Sequence, residues 1–319
     1  MGLLGTTDLD IYPLCLGGNV FGWTADRDRS FAVLDAFTAA GGNLIDTADA
    51  YSVWVPGNSG GESETILGEW TASRGNRDSV YLATKVAKSP QRPGLSAANI
   101  RAAVDDSLRR LRTDYIDLYY AHHDDTEVPL AETLGAFDEL VRAGKVRHLG
   151  ASQYTAPRLA EALALSEREG LARYQVVQPL YNLMNRGVYE GDLADLCVRE
   201  KLAVLPYYGL ASGFLTGKYR PADSAVPSED AVGTPSPRAA GARAYLDVRG
   251  ERVLAALDEI AAAHRAEVAS VALAWLRARP AVAAPISSAR TPDQLHALLA
   301  SATLTLSDAE VGQLSAASA

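Results

Sequence analysis

Residues 115–122 read Tyr115-Ile116-Asp117-Leu118-Tyr119-Tyr120-Ala121-His122 (YIDLYYAH). The run is short, almost wholly apolar on both faces, and ends on an imidazole. A strand wetted on one side alternates apolar and polar residues. One that is apolar on both sides reads as a strand inside a parallel sheet, covered front and back. The same signature recurs along the chain, predicting strands at 14–16, 43–46, 80–85, 115–121, 146–151, 174–178, 203–206 and 282–286.

Amphipathic helical stretches lie between these runs. The spacing predicts a helix over 30–40, starting on Ser30 and stopping at Gly41-Gly42, and one over 96–111 with Ile100, Val104, Leu108 and Leu111 on one face. Others are expected over 130–143 before Gly144, over 157–165 after Thr155, and over 269–279 before Pro280. Eight strands alternating with about eight helices imply an α/β fold of the (β/α)8 barrel type, a single domain over residues 1–319. An open doubly wound sheet is disfavoured, because Gly17-Gly18 and Gly22 lack the G-x-G-x-x-G spacing after the first strand.

In such a barrel the C-terminal ends of the strands carry the chemistry. Asn43-Leu44-Ile45 runs into Asp46, with Tyr51 soon after; the run from Val80 ends on Lys85; the run from Tyr115 ends on His122. A carboxylate, a phenol, an ammonium and an imidazole are therefore expected together. Only five lysines occur, Lys85, Lys88, Lys145, Lys201 and Lys218. One of so few at the end of a buried strand calls for a charged partner. A phenol is a weak acid near neutral pH. A lysine beside it is expected to lower its pKa, an aspartate to hold that lysine, and the imidazole to be a second donor. Strand parity gives His122 the direction of Leu118 and Tyr120. His123, like Trp23 and Trp54, is assigned to the substrate pocket wall, and Asp49 to a turn or helix cap.

Composition narrows the function classes. The 319 residues are 48% hydrophobic and 22% charged, with a net charge of −9. That suffices for a large core and argues against a nucleic-acid or anionic-membrane surface. Cys15 and Cys197 sit in apolar contexts and read as core residues, so a reducing cytoplasm is expected. No membrane segment and no metal site is expected, and the oligomeric state is left open.

The segments NLIDTADAY (43–51), VYLATK (80–85) and DLYYAHHDD (117–125) together resemble the aldo-keto reductase family, whose Asp-Tyr-Lys-His tetrad falls in this order. The resemblance extends over nearly the whole chain and implies a β-hairpin, in LLGTTDLDIYPL, covering the barrel bottom. It implies NADPH/NADP+ as cofactor and a small-molecule carbonyl substrate, with Tyr51 as the proton donor. In VRHLGASQY and VVQPLYNLM, Ser152, Gln153 and Gln178 would hold the nicotinamide carboxamide, Gln153 replacing a usual Asn. In VLPYYGLASGFLTGKY, Tyr207 would stack on the nicotinamide, while Leu210, Ser212, Gly213, Leu215, Gly217 and Lys218 would wrap the pyrophosphate; Gly209 replaces a usual Pro. In PISSARTPDQLHALL, Ser287, Ser288, Arg290 and Gln294 would bind the adenosine phosphate at the start of a short helix.

Two other readings remain open: a cofactor-binding regulatory subunit similar to potassium-channel β subunits, and a same-fold enzyme performing dehydration or epimerisation. The segment 220–243, rich in Pro, Ser, Gly and Ala and without apolar periodicity, is expected to be a loop insertion covering the cofactor or the pocket.

Overall fold

Ile116–Ala121 is buried at every residue because each of its faces meets an apolar layer. Leu118 and Tyr120 join an inner cluster, whereas Tyr119 and Ala121 join the larger cluster beneath the helices. In the computed structural model, which describes residues 1–220 and 237–319, this strand lies in the middle of an eight-stranded sheet.

The chain begins with an antiparallel hairpin, β1 Gly2–Leu3 and β2 Asp10–Ile11. Then come β3 Cys15–Gly17, β4 Leu44–Asp46 and β5 Tyr81–Val86. A second small hairpin, β6 Lys88–Ser89 with β7 Arg92–Pro93, precedes β8 Ile116–Ala121. The barrel continues with β9 Val146–Ser152, β10 Tyr174–Gln178, β11 Ala203–Val204 and β12 Ile286–Ser287. All pairings in the large sheet are parallel. The sheet closes on itself: Ala283 N–H donates to Val204 O (3.0 Å) and Ile286 N–H to Pro206 O (2.9 Å), while Ile286 and Ser287 pair with Cys15 and Leu16 on the other side. The expected (β/α)8 barrel is thus the observed architecture.

Around the barrel lie α1 Arg27–Ala39, α2 Glu62–Arg74, α3 Ala97–Leu111, α4 Leu130–Arg142, α5 Ala156–Glu169 and α6 Asp192–Arg199. They are followed by α7 Ala239–Arg243, α8 Val248–His264, α9 Val268–Arg277, α10 Pro292–Ala300 and α11 Asp308–Ala317. Ser96 and Thr155 cap α3 and α5 as their sequences suggest, each accepting a backbone N–H. Ser30 does not start α1. Asp26 does, accepting from Arg29 N–H (2.9 Å), and the Ser30 hydroxyl bonds back to Asp26 O (2.6 Å) from within the first turn. The segment 220–243 is not loop throughout: α7 occupies its last residues, with only Ala242 buried, so it shows no apolar stripe to read. Residues 221–236 of that segment lie outside the described residues.

The N-terminal hairpin plugs the barrel bottom. Leu4, Leu9 and Ile11 are buried in the inner cluster with Leu44, Leu118 and Val176. Asn43 clamps the hairpin by donating to Asp10 O and accepting from Tyr12 N–H, both at 2.8 Å. Further in, the Tyr120 ring lies across Gly150, where a β-carbon would sit 2.3 Å from it. Among the described residues, no helix is long and apolar enough to cross a membrane.

Candidate active site

Parallel register sets the strand ends level with one another. Gly17 pairs with Asp46, Lys85 with Tyr120, and Ser152 with Gln178. Side chains at these positions therefore converge on one mouth. Tyr51 is brought there by the turn that follows β4, and His122 is the residue after β8. The mouth opens into a cavity of about 880 Å³ lined by Tyr51, His122, Trp23 and Trp54 at one part and by Ser287, Ser288, Arg290 and Gln294 at another.

The four chemistry-bearing residues are in contact. Lys85 is fully buried, and its Nζ donates to Asp46 Oδ2 (2.6 Å), Thr47 O (2.7 Å) and Tyr51 Oη (2.9 Å). Three oxygens saturate the three N–H donors of an ammonium, which is what makes a buried lysine tolerable. Tyr51 Oη also donates to Asp46 Oδ2 at 3.3 Å. Asp46 is fixed from its other side, because Gln178 Nε2 donates to Oδ1 (2.9 Å). The rings of Tyr51 and His122 meet edge to face with centroids 6.1 Å apart.

Electrostatics favour neutral forms of both potential proton donors. Burial, reinforced by the Asp46 carboxylate, pushes the Tyr51 phenol well above its ordinary value. The net effect of the site is thus the reverse of the lowered phenol expected from a neighbouring lysine. Burial, with Lys85 and Lys88 adding repulsion, holds the His122 imidazole well below its usual range. A neutral imidazole keeps one N–H to donate; Nδ1 of His122 is buried with no partner among the described residues.

Another part of the cavity wall carries donors of the kind a dinucleotide needs. Ser152 Oγ donates to Gln178 O (2.9 Å), joining the ends of β9 and β10, and Gln153, in a left-handed conformation, reaches His122 O (3.0 Å). Tyr207 is half-buried beside Tyr208, their centroids 5.4 Å apart. Leu210, Ser212, Gly213 and Lys218 line the wall beyond. Ala211, Ser212 and Gly213 have successive positive φ angles of 47°, 59° and 95°; runs of this kind curl the backbone into a concavity suited to phosphate oxygens. At the far end Thr291 caps α10, accepting from Gln294 N–H, and the Gln294 carbonyl returns to Arg290 N–H (3.0 Å). Ser288 Oγ donates to Asn19 Oδ1 (2.7 Å). Cations, hydroxyls and a helix N-terminus fit an anionic group there.

Three expected contacts are not brought to the cavity. Leu215 is wholly buried, with its N–H spent on Leu210 O, and Gly217 N–H is spent on Phe214 O, so both serve the turn itself. His123, in the bend beyond the end of β8, does not line the cavity. Asp49 is no cap: it is buried, and neither carboxylate oxygen has a partner among the described residues. Other lining residues were not read from the sequence: Asn19, Lys88 and Arg238. Lys88 could have been found from lysine scarcity alone; Arg238 sat in a segment read as loop.

Comparison with known proteins supplies the last observation. The model of the aldo/keto reductase family matches residues 13–319. The chain is 33% identical over 335 residues to Protein tas of Escherichia coli, covering 97% of this chain and 95% of that one. It is 32% identical to norsolorinic acid reductase B of Aspergillus parasiticus, covering 95% and 80%. It is 30% identical to aryl-alcohol dehydrogenase [NADP(+)] of Phanerodontia chrysosporium, covering 94% and 80%.

Proposed function

The chain belongs to the aldo/keto reductase family and is an oxidoreductase, and from that premise we propose that it reduces an aldehyde or ketone to an alcohol with NADPH. The observation that carries this reading is the buried Lys85 bonded at once to Asp46 and Tyr51. Such an arrangement holds a protonated phenol at a fixed place on a cavity wall. The cofactor, when bound, supplies the hydride to the carbonyl carbon.

The remaining work belongs to the chain's own residues. Tyr51 Oη gives its proton to the carbonyl oxygen. Lys85 Nζ, 2.9 Å away, stabilises the phenolate left behind, so the upward shift of the resting phenol is offset in the step itself. Asp46, braced by Gln178, holds Lys85 in position. Neutral His122 donates a hydrogen bond to the same carbonyl oxygen and orients it. Ser152, Gln153 and Gln178 would hold the carboxamide of the cofactor and Tyr207 would face its ring. Ser212, Gly213 and Lys218 would hold the pyrophosphate, and Ser287, Ser288, Arg290 and Gln294 the 2′-phosphate.

The substrate end is aromatic. Trp23 and Trp54 meet edge to face with centroids 5.5 Å apart, and Trp54 packs on Tyr51 at 6.2 Å. This favours a planar aryl carbonyl compound, in keeping with the printed name of the aryl-alcohol dehydrogenase relative.

The test is Tyr51→Phe, which keeps the ring and removes the proton. Reduction of an aryl aldehyde should fall by about 10²- to 10⁴-fold while NADPH, followed by fluorescence titration, still binds. A variant that keeps most of its activity removes Tyr51 from the mechanism. Wild-type protein that binds NADPH without turning over any carbonyl compound would favour a regulatory subunit.

A further inference from the structure

The charges on the cavity wall are unbalanced for a chain of net charge −9. Among the described residues its carboxylates are Asp46, committed to Lys85, and Glu267, the exposed residue that precedes α9. Its cations are Lys88, Lys218, Arg238 and Arg290. Lys218 and Arg290 lie where cofactor phosphates are proposed to sit; Arg238 is near enough to feel the Arg290 charge but also reaches the substrate end. Its guanidinium is 5.1 Å from the ring centroid of Trp23, the tryptophan that packs on Trp54 beside Tyr51.

Among the described residues, the titratable groups that influence Arg238 are Tyr208, Tyr51 and Arg290, with no carboxylate among them. Burial makes its charged form costly, and Arg290 adds to that cost. A guanidinium partly withdrawn from water, stacked on an aromatic face and lacking an acidic partner among the described residues, is short of an anion. Its planar fork of donors fits a carboxylate with two parallel hydrogen bonds.

We propose that Arg238 is a specificity-determining residue that binds a carboxylate on the substrate, so that the preferred substrates are aryl aldehydes or ketones bearing an acidic group. The proposal rests on the reading of the site as a carbonyl reductase. The carbonyl lies at Tyr51 and His122, the aryl ring against Trp23 and Trp54, and the carboxylate at Arg238. Lys88, also on the wall, adds positive potential to the same mouth.

The experiment compares para-carboxybenzaldehyde with its methyl ester, which keeps the ring and the aldehyde and removes the charge. The ratio of kcat/KM for acid over ester should exceed one in the wild type. It should fall by about ten- to a hundredfold in Arg238→Gln, the range of a charge-assisted hydrogen bond, and recover in part in Arg238→Lys. Equal losses for acid and ester would overturn the proposal by making Arg238 a packing residue. A fall in NADPH affinity with an unchanged ratio would overturn it by giving Arg238 to a cofactor phosphate. Calorimetric binding of benzoate to the NADP+-loaded protein needs no turnover. Benzoate binding that Arg238→Gln abolishes supports the anion site even if neither aldehyde is reduced, an outcome in which only the reductase reading fails. No benzoate binding to the wild type overturns the anion site.

Discussion

Asp49 shows how far a single side chain departs from its local sequence meaning. Between Asp46 and Tyr51 it reads as a turn or helix-cap residue; it does lie in the turn after β4, yet it caps no helix and is buried with both oxygens unpartnered among the described residues, near Glu64. Burial, then the Glu64 charge, pushes its carboxyl up to about 8. An unfolded carboxyl titrates near 3.9. Below that value both states are protonated and Asp49 costs nothing. As pH rises from there to about 8, the unfolded state ionises first and stability is lost; above about 8 the loss is constant. Asp49→Asn, with no ionisation to lose, should therefore raise the melting temperature by several degrees at pH 8 and change it little at pH 4. A variant whose melting curve keeps the wild-type pH dependence would clear Asp49 of this role. Arg290 belongs to the same scale. If it reads the 2′-phosphate, Arg290→Ala should weaken NADPH by about one to two decades and leave NADH nearly untouched. Equal losses for both cofactors would place its effect elsewhere.

At the scale of elements, the N-terminal hairpin stands apart from the catalytic end. It fills the opposite opening of the barrel with Leu4, Leu9 and Ile11. An ion pair from Asp8 to Arg147 (2.8 Å) and a hydrogen bond between Asp8 and His148 Nε2 (2.6 Å) secure its turn. Leu9→Ala removes fully buried methyl groups where the inner cluster has little room to collapse. It should cost about 2–5 kcal/mol in denaturant unfolding with kcat/KM nearly unchanged. A comparable loss of catalysis would mean that the plug also sets the geometry of the strand ends. The barrel strands were legible because burial on both faces leaves an apolar run. Glu62–Arg74 was not: it carries the buried Glu64, held by Arg110 (2.6 Å) and Thr84 (2.6 Å), and that charge interrupts any apolar stripe. The start of α1 was misplaced because Ser30 and Asp26 are both acceptable caps, and only the backbone conformation chooses between them.

For the whole molecule, the closed sheet leaves no seam at which two parts could separate: the last strand pairs with β3, while Ala283 and Ile286 bond on the other side to Val204 and Pro206 at and just beyond the end of β11. Residues 1–319 are proposed to unfold as one unit. Calorimetry should give a single transition, and NADPH at a hundred times its Kd should add about 2.7 kcal/mol to that transition as a whole. Two transitions, with the cofactor moving only one, would show that the barrel is divided.

What the sequence determined by itself was the order of the strands and the identity of the residues at their ends. Burial on both faces writes each strand into the chain as an apolar run, and Asp46, Tyr51, Lys85 and His122 are each fixed within a few residues of such a strand. Tertiary structure alone decided which distant side chains share the cavity. It set Gln178 against Asp46 across 132 positions of chain and laid Arg238 on Trp23. It also held Tyr51 and His122 in their neutral forms, because the charge a group feels depends on everything packed around it, and no local pattern records that.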